Sequence, residues 1–153
     1  MYSSVLISKL AREDFERARR RAIFRHIVAF ILRRPNRLVS LNDMLETNEL
    51  VNQRSLGVRT VPVNQIVGTL SRTHGFDKIF MPDDPFTEQR WISVMKASYR
   101  GIALPPISLL KVGERYYVVD GHHRISVARA VGQTYMDAEV TEIELRPKLP
   151  AEA

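Results

Sequence analysis

The sequence predicts an α+β protein in which an N-terminal helical segment precedes a small sheet with helices. Three observations predict it. Residues 13–34, "EDFERARRRAIFRHIVAFILRR", contain no Gly or Pro and are rich in helix formers. From Val58 the periodicity changes to β-branched runs broken by Pro62. From residue 107 onward the order reads strand, turn, strand, sharp bend, helix, strand.

In the first segment, acids open the helix and Arg33 and Arg34 close it, as the helix dipole prefers, and Pro35 stops it. Phe15, Ala18, Ala22, Ile23, Ile27, Phe30 and Ile31 recur at helical spacing. The second half is apolar nearly all round, which predicts burial or pairing with another helix. "RLVSLNDMLETNEL" follows, with Ser40 and Asn42 as caps for a short second helix, so the two are expected to form a helical hairpin. "VNQRSLGV" reads as a connector, and a boundary is expected at Gly57: residues 1–57 as a basic helical segment, 58–146 as the main domain, 147–153 as a flexible tail.

Further along, "THGFDKIFMPDDP" reads as a loop with Phe76, Ile79, Phe80 and Met81 tucked inward. Thr87 caps a helix through "EQRWISVMKASYR", whose apolar side is Trp91, Val94 and Met95, and Gly101 ends it. "ISLLKV" and "RYYVVD" flank Gly113-Glu114 as a hairpin; "HHRISVARAV" is a short helix ended by Gly132, and "YMDAEVTEIEL" is a last strand.

Composition narrows the function classes. The 153 residues are 44% apolar, enough for one core. There is no cysteine, which excludes disulfides, thiolate metal sites and thiol nucleophiles and fits a reducing cytoplasm. The N-terminus lacks the pattern of a secretory signal, and the longest apolar run, Ile27 to Leu32, is far too short to span a bilayer, so a cytoplasmic protein with no membrane association is expected. The net charge is +6, and residues 1–40 hold ten Lys and Arg against three acids, so the whole excess sits in the first quarter. Arg17, Arg20, Arg21 and Arg25 gather on the helix as candidate contacts to the phosphate backbone of DNA; the rival reading is a solvated or partner-binding face. Dimerisation through the helical segment would place two basic faces side by side.

The densest chemistry lies in "VVDGHHRISVARAVG", residues 118–132. A strand ending in Asp-Gly and opening into a helix suits an anion, because a helix start carries N–H groups and partial positive charge. Gly121 permits the bend and close approach of a ligand, Arg124 adds a forked donor, and His122 or His123 can donate to phosphate oxygens. Asp120 has several open readings: a helix cap, a residue that orients a histidine, a Mg²⁺ ligand bridging phosphates, or, with His122, a participant in proton transfer. Adjacent histidines point to different faces and His26 and His74 lie elsewhere, which argues against zinc. Ser126 near a histidine suggests a nucleophile only weakly, since helical spacing favours packing.

The stretch "LPPISLLKVGERYYVVDGHHRISVARAVGQTYMDAEV" resembles the ParB/sulfiredoxin superfamily, specifically ParB N-terminal-like domains. The resemblance covers residues 58–144 at most and is most specific over 102–141. It implies a small mixed sheet and a nucleotide-phosphate site at "DGHHR", where relatives use CTP, ATP or ADP. Carried over, Gly121, His122, His123 and Arg124 contact phosphates and Asp120 lies near a Mg²⁺ or the reacting group. The departures are informative. Sulfiredoxin chemistry needs a cysteine in this motif; ParB proteins carry Glu-Arg-Arg here and continue into a helix-turn-helix, which is not expected in the dozen or so residues after the last strand. Asp-Gly-His-x-Arg is closer to a serine-kinase branch, for which Glu88 and Glu114 are base candidates by exclusion. The expectation is a nucleotide-binding, DNA-associated regulatory or partitioning-like protein. A small-molecule phosphotransferase is the alternative and a ParB-like nuclease the remote one.

Overall fold

The computed structural model describes residues 3–71 and 74–150. Its elements are helices α1 (Ser4–Leu32), α2 (Leu41–Thr47), α3 (Glu88–Tyr99) and α4 (His122–Ala130), and strands β1 (Val39–Ser40), β2 (Asn48–Pro62), β3 (Ile66–Thr69), β4 (Ile107–Val112), β5 (Arg115–Asp120) and β6 (Tyr135–Pro147). The six strands form one mixed sheet in the order β1-β3-β5-β4-β6-β2, and the chain is α+β. β4 is antiparallel to β5 and parallel to β6, while β2 runs antiparallel to β6 along the edge.

Alternation along the strands sends successive side chains to opposite faces, and the two faces carry different layers. Leu109, Val118, Ala138 and Val140 join a core with Ala11, Phe15 and Ala18 of α1, Trp91 and Met95 of α3, and Ile125 and Val127 of α4. Tyr117 and Ile143 on the other face pack with Leu41 of α2, and Met44 lies against them. The expected α1–α2 hairpin is therefore not formed: the two helices belong to opposite sides of the sheet, because Leu41 finds its apolar partners on β5 and β6.

α1 begins earlier than the sequence suggests, at Ser4, where the Ser3 hydroxyl oxygen accepts from the Leu6 N–H. Its buried stripe is Ile7, Ala11, Phe15, Ala18 and Ala22 and ends there; Ile23, Ile27, Phe30 and Ile31 face outward. The expectation that this second half is buried is overturned, since only the small residues between Ala11 and Ala22, with Phe15, fit closely against α3. Phe15 meets Trp91 edge-on at 5.6 Å. The helix ends with Arg33 in the left-handed region, ahead of Pro35.

The stretch read as a connector is instead part of β2, a 15-residue strand whose ladder to β6 runs through Gly57. The expected boundary at Gly57 thus falls inside a strand, and the tail expected from 147 begins at the last residue of β6; residues 151–153 lie outside those described. The turn expectations hold: Gly113, Gly101 and Gly132 have positive φ where the hairpin turns and α3 and α4 end.

Candidate functional site

The bend between β5 and α4 is built around Gly121. Its φ is +119°, and a Cβ there would stand 2.4 Å from Ile107 Cγ2, so both the backbone angle and the space require glycine. The consequence is that the first turn of α4 enters at the end of the sheet and opens on a cleft of about 580 Å³. α3 forms the facing side with Gln89, Arg90 and Ser93, and the loop Leu104–Pro106 closes a third side.

The motif residues divide into those that build the bend and those that reach the cleft. His122 is 8% exposed; its Nε2 lies 2.8 Å from Thr69 Oγ1, and the Thr69 hydroxyl in turn reaches the Val118 carbonyl at 3.4 Å. With that hydroxyl donating to the carbonyl, Nε2–H donates to Thr69, so His122 ties α4 to the end of β3. His123 is equally buried and meets the Phe76 ring edge-on at 5.2 Å, while His122 stacks on the same ring at 6.1 Å. Both histidines border the cleft, and both rings pack on Phe76.

Phe76 is held by its own loop. Asp77 is fully buried: one carboxylate oxygen accepts from the Ile79 and Met81 N–H groups, the other from Arg25 Nε at 3.2 Å. His26 pairs with Asp83 at 3.0 Å, so α1 fastens both ends of this loop. Phe80 and Met81 are buried as expected, and Ile79 partly so.

Arg124 is the motif side chain aimed along the cleft. Its guanidinium donates to the Pro105 carbonyl and, at 3.3 Å, to Asp120. Asp120 itself is largely exposed and does not cap α4, which has no side-chain cap among the described residues. Asp120 is also the one carboxylate among the described lining residues; Glu88 and Glu114 do not line the cleft. No three of His, Cys, Asp and Glu converge among the described residues, so a Mg²⁺ here would depend on Asp120 together with a ligand's own phosphates. Ser126 is fully buried and accepts from the Trp91 indole N–H at 2.8 Å, which locks α3 to α4 and removes it from consideration as a nucleophile.

Arg90 was not legible as a site residue in the sequence. It lies one residue before Trp91, and only the docking of α3 on α4, through Trp91 and Ser126, brings it to the same cleft as Arg124. A second chamber of about 300 Å³ continues past Arg124, sharing Leu104, Pro105 and Pro106 and walled by Ile102, Val127 and Met136, with Ser98, Gln133 and Asp137 among its polar groups.

The four arginines expected to face DNA do not act alike. Arg17 pairs with Asp14 and Arg25 with Asp77, whereas Arg20 and Arg21 are exposed. No described helix is long and apolar enough to cross a membrane. Compared with protein-family models, curated proteins and solved structures, the chain matches none of them.

Proposed function

We propose that this chain binds a nucleoside di- or triphosphate in the cleft at the start of α4, as a ParB-like nucleotide-binding module. The observation that carries the proposal is the convergence of the α4 N-terminus, Arg90 and Arg124 on one cleft with a single lining carboxylate. Helix start and guanidinium groups are complementary to a phosphate chain, and each charge-assisted contact contributes about 1.5–3 kcal/mol. The adjoining chamber adds room for a base and ribose between walls of mixed polarity, and its size falls at the lower end of the usual range for small-molecule sites. The resemblance of "VVDGHHR" to ParB-like phosphate sites supports the same placement.

Within this reading Gly121 allows close approach, Arg90 and Arg124 hold phosphate oxygens, and Asp120 is the place for a Mg²⁺ carried by the nucleotide. His122 and His123 act as positioning residues that set the angle of α4 through Thr69 and Phe76. Calorimetric titration of the full chain with CTP, ATP and ADP, with and without Mg²⁺, tests it. Saturable binding weakened at least about ten-fold by Arg124→Ala is expected. Absence of binding to all three, or indifference to Arg124→Ala, sinks it.

A phosphotransferase is the second reading, favoured by the exposed Asp120 carboxylate beside the proposed phosphate position. In that case Asp120 accepts the proton from an acceptor hydroxyl, and Asp120→Asn abolishes product formation while nucleotide binding persists. The ParB-like expectation of DNA contact on α1 rests on the exposed Arg17, Arg20 and Arg21, since Arg25 is paired with the buried Asp77.

A further inference from the structure

The outward face of α1 changes character halfway along. Through its first half it carries Lys9, Arg12, Glu13, Glu16 and Arg20, an ordinary solvated face. One turn later the same face is Ile23, Ile27, Phe30 and Ile31, with Phe24 beside them. These are not marginally exposed: Phe30 is 85% accessible, Ile31 70%, Phe24 67%, Ile27 53% and Ile23 48%. Together they present on the order of 600 Å² of contiguous apolar surface, at the upper end of what a monomer leaves in water. The core contacts of α1 end at Ala22, so none of these side chains belongs to the core.

Along this stretch of α1 itself the charge is one-sided, although Asp83 pairs with His26 and Glu88 stands near Arg20 and Ile23. Residues 17–42 contain eight arginines and no Asp or Glu. Arg20 and Arg21 stand at one end of the apolar stretch and Arg33 and Arg34 at the other, all exposed. Against the expectation of no membrane association, which rested on the lack of a spanning segment, we infer that this half of α1 is an interfacial docking element for an anionic lipid surface. A bilayer headgroup region is the surface that is both negatively charged and able to take up Phe and Ile side chains; helices of this kind lie in its plane without crossing it.

Two other occupants fit less well. DNA supplies phosphates but no apolar cover for Phe30 and Ile31. A second copy packed antiparallel about Ile27 would set Arg20 and Arg21 against Arg34 and Arg33, like charge on like.

The test is flotation of the full chain with vesicles of pure phosphatidylcholine and with vesicles about one-third phosphatidylglycerol. Binding at least about ten-fold stronger to the anionic vesicles is expected, falling as salt rises. Phe30→Ser with Ile31→Ser should lower it at least about ten-fold, and Arg20→Gln roughly five-fold. Both sites are exposed, so the fold is expected to persist; Ile27→Ser gives a second readout on the same face. Absence of flotation, equal binding to both compositions, or unchanged binding by the serine variants overturns the inference. So does a concentration-dependent dimer that the serine variants abolish, which would assign the face to a second copy, or retention on duplex DNA without vesicle binding, which would assign it to nucleic acid.

Discussion

α4 and α1 both place arginine beside apolar residues, yet the sheet treats them in opposite ways. α4 is pressed into the core: His122, His123, Ile125, Ser126, Val127 and Ala128 are all buried, while Arg124 and the exposed Asp120 before it reach the cleft that the two histidines border. α1 touches the core through one narrow stripe and leaves Phe24, Ile27, Phe30 and Ile31 outside. The difference teaches that a dense run of titratable residues is no measure of available chemistry. In α4 most of the motif builds the bend, and the binding capacity comes from backbone, Arg124 and a residue from another helix, Arg90. In α1 the same residue types remain on the surface because nothing among the described residues covers them.

Breaking the bend should have the largest effect. Gly121→Ala meets both an unfavourable φ and Ile107, and is expected to cost about 2–4 kcal/mol in chemical denaturation. Gly57→Ala is the control: its φ is also positive, at +68°, but a Cβ there meets open space, so about 1 kcal/mol is expected. Equal costs would mean that close packing at Gly121 is not what fixes the cleft.

Next in size is the contrast between arginines. Arg90→Ala should weaken nucleotide binding about ten-fold while changing stability by less than about 0.5 kcal/mol, whereas Arg21→Ala should leave nucleotide affinity unchanged. Calorimetry beside thermal melts checks both, and a reversed pattern would move the phosphate site onto α1.

The smallest effect concerns the junction of α1 with α3. The Tyr99 hydroxyl donates to Asp14, and this bond, followed by burial and the Asp14 charge, raises the tyrosine pKa to about 12 from 10.0. Because the protonated form is favoured in the fold, its contribution is fully present below pH 10 and is lost as pH rises toward 12. Tyr99→Phe should flatten the stability profile over that window in denaturation curves, and an unchanged slope would show the bond does not form in solution.

Much of the second half of the chain was legible because its signals are local. The hairpin at Gly113, the glycine stops after α3 and α4, and the strand–bend–helix at Asp120-Gly121 depend on residues within a turn of one another. The misreadings involve long-range pairing. β2 lacks alternation because it is an edge strand exposed along nearly its whole length and held by its ladder to β6, not by burial. That Phe76 and Thr69 engage the histidine pair was not legible in the motif, because they lie some fifty residues earlier. Arg90 carried no mark of its own; its role depends on how Trp91 docks α3 against Ser126.

Residue-resolved amide shifts of the full chain, recorded while Mg²⁺-ATP is added, test the central claim most directly. The account predicts that the largest changes fall at Gly121, His122, His123 and Arg124 and in the α3 turn around Arg90, with the amides near Arg20 and Arg21 nearly still. Changes centred on α1 with the start of α4 unmoved would contradict it.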